Sequence, residues 1–482
     1  MKKILLTVAF AFSAAGLHAQ DLTYDYTTNP GWFAPNAWTP GPTTWSAGAN
    51  ATMNATSTKA IAFSGSTTIG NLTVTGGGGF SVDLGTDATP ATLTFSGGTI
   101  NTLPVIETEL GTSIQGNFTS TGGGILRFNT STTAYSGTAT INAGRFEVSN
   151  APTVGANSDV TINTGGVFNP RNSNTYNLGD IVVNGGNFEL SRTNANTTII
   201  ANLTSLSGSG GNTTVLLRTT GTLGVSNATL NINQSTNTTY SGTITGFTTA
   251  FSGTQTGFLT VNKLGSGSLA LGGNIDLRRE TTVTAGTLLI NSTNATFTST
   301  SANAITVNGT LGGTGTLQIT GADSVTLTGN GSLLAGLAGS AGQTTYNLSG
   351  GSLDLTTRTS GAGTGWLNFD LGTNATPGTT YDRISLTGSG ALNIGTGLNF
   401  TDFTFSTLSG FGSGGNYTLF STTSAILGTL GTTTGTISGL NATLQISGND
   451  LVLNVVPEPA TWGLLAASLT TVMVLRRRRR NP

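Results

Sequence analysis

The sequence predicts an all-β protein. The expected form is a right-handed parallel β-helix, or solenoid, with an irregular N-terminal cap and a C-terminal β cap, followed by a short transmembrane helix. Composition is the first observation behind this expectation. The 482 residues include 71 Gly, Thr makes up close to a fifth of them, and only 8% are charged. Thr, Val, Ile and Phe suit strands, Gly and Asn suit turns, and poor helix formers dominate. Disordered chains pair low hydrophobicity with high net charge. Here hydrophobic residues are 36% and the formal net charge is −1. Periodicity is the second observation. Gly144-Arg145-Phe146-Glu147-Val148 is echoed by Gly165-Gly166-Val167-Phe168 and by Gly185-Gly186-Asn187-Phe188-Glu189-Leu190. The three phenylalanines are spaced 22 and 20 residues apart, and a strand-rich period near 20 is a β-helix signature. Alternation is the third. Each short strand places Phe, Leu, Ile or Val on one side and Thr, Asn or Ser on the other. A single coil cannot bury its inner side, so equivalent residues must stack. Stacked Asn or Thr can then bond along the axis.

Residues 1–19 read as a secretory signal peptide. Met1-Lys2-Lys3 supplies the basic start, Ile4 to Ala15 the apolar run, and Ala19 the small residue before a cut at Gln20. The sole histidine, His18, leaves with it. Residues 20–58 carry Pro30, Trp32, Pro35, Trp38, Pro40, Pro42 and Trp45. Proline at that density opposes a central strand or helix, so this segment is expected to cap the first rung with its indoles. Residues 59–350 form the repeats. Residues 351–455 shift register and form the C-terminal β region. There Thr443–Ser447 and Leu451–Val455 flank Gly448-Asn449-Asp450, a hairpin signal. Residues 456–482 carry Pro457-Glu458-Pro459, an apolar run from Ala460 to Leu475, and Arg476, Arg477, Arg478, Arg479 and Arg480. The apolar run is shorter than the roughly 20 residues of a full span. Trp462 and the arginines extend it at the two interfaces.

Two resemblances add to this reading. The run Lys263-Leu264-Gly265-Ser266-Gly267-Ser268-Leu269-Ala270-Leu271-Gly272-Gly273, closed by Thr281-Thr282-Val283-Thr284-Ala285-Gly286-Thr287-Leu288, resembles the autotransporter-associated β-strand repeat. The resemblance implies a secreted, passenger-type β-helix. The insert Ile275–Glu280 departs from the usual bridge. Looser versions occur at Gly155–Val160 and Asn303–Gly309. No amphipathic membrane β-barrel follows, so the likeness is to the passenger and not to the export route. The tail Pro457-Glu458-Pro459, apolar run and arginine cluster resembles the PEP-CTERM sorting signal of Gram-negative bacteria. That implies signal peptidase and an exosortase as processing partners, and an inner-membrane-anchored precursor. Its destination would be the cell surface, outer envelope or extracellular matrix.

Chemistry is scarce between the ends. Zero Cys excludes thiol nucleophiles and thiolate metal sites. Loss of His18 removes imidazole chemistry. Seven of the 18 basic residues lie in the two ends, which leaves an acidic body and no basic stripe for nucleic acid. No cofactor or metal is expected. A polysaccharide-cleaving β-helix enzyme is the alternative reading. It would need clustered carboxylates. Glu107 with Glu109, Asp382 with Arg383, and Arg278-Arg279-Glu280 are the local clusters, each expected as a solvated turn or local ion pair. Asp83 and Asp87 lack a calcium-binding repeat around them. The Gly76 to Gly79 run lacks the Lys-Ser/Thr of a phosphate loop. Sequons such as Asn71-Leu72-Thr73, Asn202-Leu203-Thr204 and Asn227-Ala228-Thr229 follow from an Asn- and Thr-rich composition. The expected function is that of an exported, non-enzymatic structural or adhesive protein, meeting extracellular polysaccharide or like copies.

Overall fold

A computed structural model describes residues 21–24, 38–39, 47–55, 59–61, 66–76, 81–84, 92–104, 107–110, 113–128, 134–149, 153–154, 158–171, 175–192, 198–217, 226–246, 257–299, 303–359, 364–412 and 414–456. The described residues are almost entirely strand, joined in one long and mostly parallel sheet. One short helix, Thr356–Thr359, and one 3-10 turn, Phe400–Asp402, interrupt it.

The pairing pattern is that of a coiled chain. Gly257–Leu264, Ser268–Leu271 and Ile275–Leu277 follow one another in sequence. They pair in parallel with Thr281–Val283, Thr287–Ile290 and Ala295–Phe297. Those in turn pair with Asn303–Val307, Thr310–Gly312 and Thr316–Ile319. Each strand therefore meets the third one after it, and three strands make a turn of the coil. This is consistent with a β-solenoid.

Register converts sequence alternation into columns. Leu178, Leu203, Ile232, Lys263, Val283, Val307 and Leu327 stand in one inward column. All seven are buried. The neighbouring column of opposite parity runs Asn177, Asn202, Asn231, Asn262, Thr282, Thr306, Thr326, Asp354, Asn393. Its asparagines form a ladder. Asn202 donates to Asn177 at 2.7 Å, Asn231 to Asn202 at 2.7 Å, and Asn262 to Asn231 at 2.8 Å. The inner sides join into one hydrophobic cluster from Leu22 to Val455.

The phenylalanine period is the coil period. Phe146 pairs with Phe168 and Phe168 with Phe188 in register. Their rings stack at centroid distances of 5.4 and 5.7 Å. Thr213 holds the next position in that column, and its Oγ1 donates to the hydroxyl of buried Tyr240 at 3.1 Å.

Two features of the chain differ from the expected strand pattern. The strands Thr175–Arg192 and Thr198–Leu217 run through corners instead of ending at five residues. Glycine permits this: at Gly208 φ is +140°, and an added Cβ would lie 2.0 Å from the Val183 carbonyl oxygen. The parallel ladder also starts earlier than residue 59. Asp21–Tyr24 pairs in parallel with Asn50–Ala55, which pairs in parallel with Leu72–Gly76. Asp21–Tyr24 also takes Trp38–Thr39 as an antiparallel partner. At the other end, parallel stacking continues through Leu427–Leu430. Antiparallel pairing closes it, with Leu440–Ser447 and Asp450–Val456 forming the expected hairpin over Gly448 and Asn449. Asp450–Val456 then covers Gly415–Thr422.

No helix among the described residues is long and apolar enough to cross a membrane. The transmembrane expectation falls on residues outside the described ones.

Candidate functional site

Ala19, Gln20, Pro457, Glu458, Pro459 and Arg476 to Arg480 all lie outside the described residues. So do Asp87 and residues 77–79.

The repeat motif is placed in full. Lys263 is the one charged member of an otherwise aliphatic column. Its Nζ donates to the carbonyl oxygens of Leu264 at 2.5 Å, Gly265 at 3.0 Å and Ala285 at 3.3 Å. Leu264 and Gly265 belong to its own turn and Ala285 to the next coil, so the ammonium ties two turns together. Burial pushes its pKa down to about 8. Gly286 lies directly over the motif glycines, and a Cβ there would come within 2.5 Å of the Gly265 carbonyl oxygen. The motif is therefore a corner device: it fixes a turn that only glycine can make, and caps its carbonyl groups with a cation.

Glu107 and Glu109 lie on one strand, Glu107–Leu110, and their side chains fall outside the described ones. Glu109 pairs in register with Arg127, Arg127 with Glu147, and Glu147 with Asn169. Around Glu147 lies an ion cluster that sequence reading missed. Arg127 Nε and Nη2 donate to Glu147 Oε2 at 2.9 and 2.8 Å, and Arg171 Nη1 reaches the same oxygen at 3.0 Å. Arg145 Nη1 donates to Glu189 Oε2 at 2.6 Å and its Nε stands 3.8 Å from Glu147 Oε1. Glu147 itself is fully buried. The signal was present: Arg145, Glu147 and Glu189 are immediate neighbours of the periodic phenylalanines, so the same period stacks them on the opposite face. Three guanidinium groups holding two carboxylates make a stabilising cross-tie between coils, with Glu147 unavailable for proton transfer to solvent.

The other flagged clusters come apart. Arg278 pairs locally with Asp276 at 3.4 Å, both half-exposed. Arg279 instead donates to Asn227 Oδ1 at 3.2 Å and lies over the Phe258 ring. Glu280 accepts from Thr306 Oγ1 at 2.5 Å. Asp382 and Arg383 do not pair as a solvated turn. Consecutive residues here diverge: Arg383 donates to Gln343 Oε1 at 3.0 and 2.5 Å, whereas Asp382 is fully buried. Asp382 Oδ1 accepts from the Gly342 amide and Oδ2 from the Asp370 amide, both at 2.7 Å. Burial pushes the Asp382 carboxyl up to about 8, with the nearby Asp370 adding to the rise. The sequon asparagines are also committed: Asn71 Oδ1 accepts from the Thr99 amide, Asn202 is in the ladder, and Asn227 holds Arg279.

Beside the Asp370–Asp382 pair is a cleft of about 300 Å³ on the outer side of the sheet. Asp370 and Asn368 on Leu367–Leu371 and Ser406 and Thr407 on Phe403–Thr407 line it, under a loop over residues 335–342. Among the described residues no group of three or more His, Cys, Asp or Glu could hold a metal ion.

Compared with known proteins, the chain matches no family model and no curated protein.

Proposed function

We propose that this chain is an exported, non-enzymatic structural or adhesive protein of a cell surface or extracellular matrix. Its body would be a right-handed β-helix, the hand that parallel crossover connections take. In this reading a signal peptidase acts at Ala19-Gln20 and an exosortase-type enzyme at Pro457-Glu458-Pro459. The apolar run and Arg476 to Arg480 hold the precursor in the inner membrane until then. Extracellular polysaccharide or further copies of the chain are the partners.

One observation supports this reading above the rest. The polar groups of the body are spent on neighbouring coils: the Asn ladder, the Glu147 cluster and the Lys263 cap all bond along the stacking direction. That arrangement makes a stiff wall, which suits display and spacing.

Fractionation of the source cells with intact-mass measurement of both termini tests the proposal. A mature form beginning at Gln20, trimmed near Val456 and found in the surface or matrix fraction, is the expected result. An intact chain in the cytoplasmic fraction would overturn it. Reducing-end release from a polysaccharide panel, lost in Glu107→Gln or Glu109→Gln, would replace it with the cleaving-enzyme reading.

A further inference from the structure

We infer that the cleft above Asp370 is a binding site for one neutral sugar residue of an extracellular glycan. The inference rests on the surface-protein reading for the kind of ligand, and it adds the place and the chemistry.

Asp370 is 4% exposed, which is deep for a carboxylate on the outward side of a strand. Its Oδ2 accepts from the Gly339 amide at 2.6 Å. Its Oδ1 has no protein hydrogen-bond partner among the described residues and is open to solvent, which leaves its acceptor capacity free for a ligand. The amide of Asn368 is similarly divided. Its Nδ2 donates to Ser332 Oγ at 2.9 Å and to the Leu333 carbonyl at 3.1 Å, while its Oδ1 has no partner among the described residues. Two acceptors with unused capacity thus line one cleft, beside the hydroxyls of Ser406 and Thr407. Leu334 and Leu408 supply apolar walls.

Such a lining asks for a ligand that donates hydrogen bonds from several points and has an apolar ring face. A sugar ring does both. A cavity of about 300 Å³ is at the small end of ligand sites, which fits one residue of a chain and not several. A metal ion is disfavoured because a single carboxylate oxygen is free for it. An acidic sugar is disfavoured because Asp370 would repel it and no cation lines the cleft.

The test uses the purified full-length chain and saturation-transfer NMR with glucose, galactose, mannose and their neutral oligosaccharides. Glucuronate and calcium serve as controls. At least one neutral sugar should bind, and Asp370→Asn should weaken it about ten- to a hundredfold, the range for a hydrogen bond to a carboxylate. Because Asp370 also anchors the loop at Gly339, Ala338→Trp is the second variant. Ala338 is exposed on the cleft wall, so the indole should fill the space and abolish binding with the melting temperature unchanged. Absence of binding by every neutral sugar, tighter binding of glucuronate or calcium, or binding that survives Ala338→Trp would each overturn the inference. None of these outcomes bears on where the protein is sorted, which the terminal masses decide separately.

Discussion

In the coils over residues 257–327, bonded side chains and their partners in the next coil stand 22 to 26 residues apart, as in Lys263 to Ala285, Thr326 to Asn303 and Thr306 to Glu280. Over 332–456 the separation grows to 34 for Ser332 to Trp366 and 40 for Gly342 to Asp382. The regular coils satisfy their polar groups by stacking like on like. The longer coils contain extra loop residues whose amides have no stacked partner. Buried carboxylates take those amides instead: Asp370 holds Gly339, Asp382 holds Gly342, and Asp402 holds Asn399 at 2.7 Å while accepting from the Trp366 indole at 3.0 Å. Extra length in a solenoid thus exposes orphan N–H groups, and a carboxylate is a compact acceptor for two of them at once.

The largest effect should come from the regular side of the comparison. Phe168→Ala removes the middle of a three-ring stack and should cost about 3–5 kcal/mol in urea unfolding. The loss should be confined to neighbouring coils, because each coil contacts only the next ones. A smaller cost in the same assay would mean that the stack has room to collapse.

Asp382→Ala probes the other side. It leaves the Gly342 and Asp370 amides without their acceptor, at about 1–3 kcal/mol each. The pH dependence has a definite sign. The folded carboxyl titrates near 8, above its ordinary value, so the stability it contributes is present at acid pH and is lost as pH rises through about 8. Asp382→Asn should flatten unfolding free energy between pH 5 and pH 8.5 relative to wild type. An unchanged slope would assign the pH dependence elsewhere.

Lys263→Met asks whether the motif cation behaves like the buried carboxylates. Its folded pKa is depressed to about 8, so wild type should gain stability from pH 8 toward pH 10.5, where the unfolded chain holds more protons. The Met variant should lose that rise and differ from wild type by about 1 kcal/mol or less at neutral pH, since an apolar side chain of similar shape suits the column. A large loss at neutral pH would give the carbonyl cap more weight than the column.

The ladder should show a loss of the same small size. Asn231→Ala should cost about 1 kcal/mol, because its neighbours Asn202 and Asn262 remain half-exposed to water. Circular-dichroism melts would show it as a minor shift, and a shift matching Asp382→Ala would erase the distinction between the two regions.

Legibility in the sequence followed the same division. The phenylalanine spacing, the Thr and Asn alternation and the terminal hairpin were readable because each depends on local pattern or a constant period. The Arg127–Glu147–Arg171 cluster was readable in principle from that period. Lys263 was recognised as part of a motif, but its inward position depends on which residue it pairs with across coils, which spacing alone does not fix where coil length varies. Asp382 was misread for a simple geometric reason. Adjacent residues in extended chain point to opposite sides, so Asp382 turned inward to loop amides while Arg383 met Gln343. The cleft was unreadable, since Asn368, Asp370, Ser406 and the loop over 335–342 are brought together only by the longer coils.

Hydrogen exchange by mass spectrometry, comparing wild type, Asp382→Asn and Asn231→Ala, tests the division most directly. In Asp382→Asn, protection should fall in peptides covering 335–342 and 367–371 while the coils over 257–327 keep theirs. Asn231→Ala should change protection only slightly and only beside residue 231. Equal loss across both regions in Asp382→Asn, or unchanged protection in 335–342, would contradict the account.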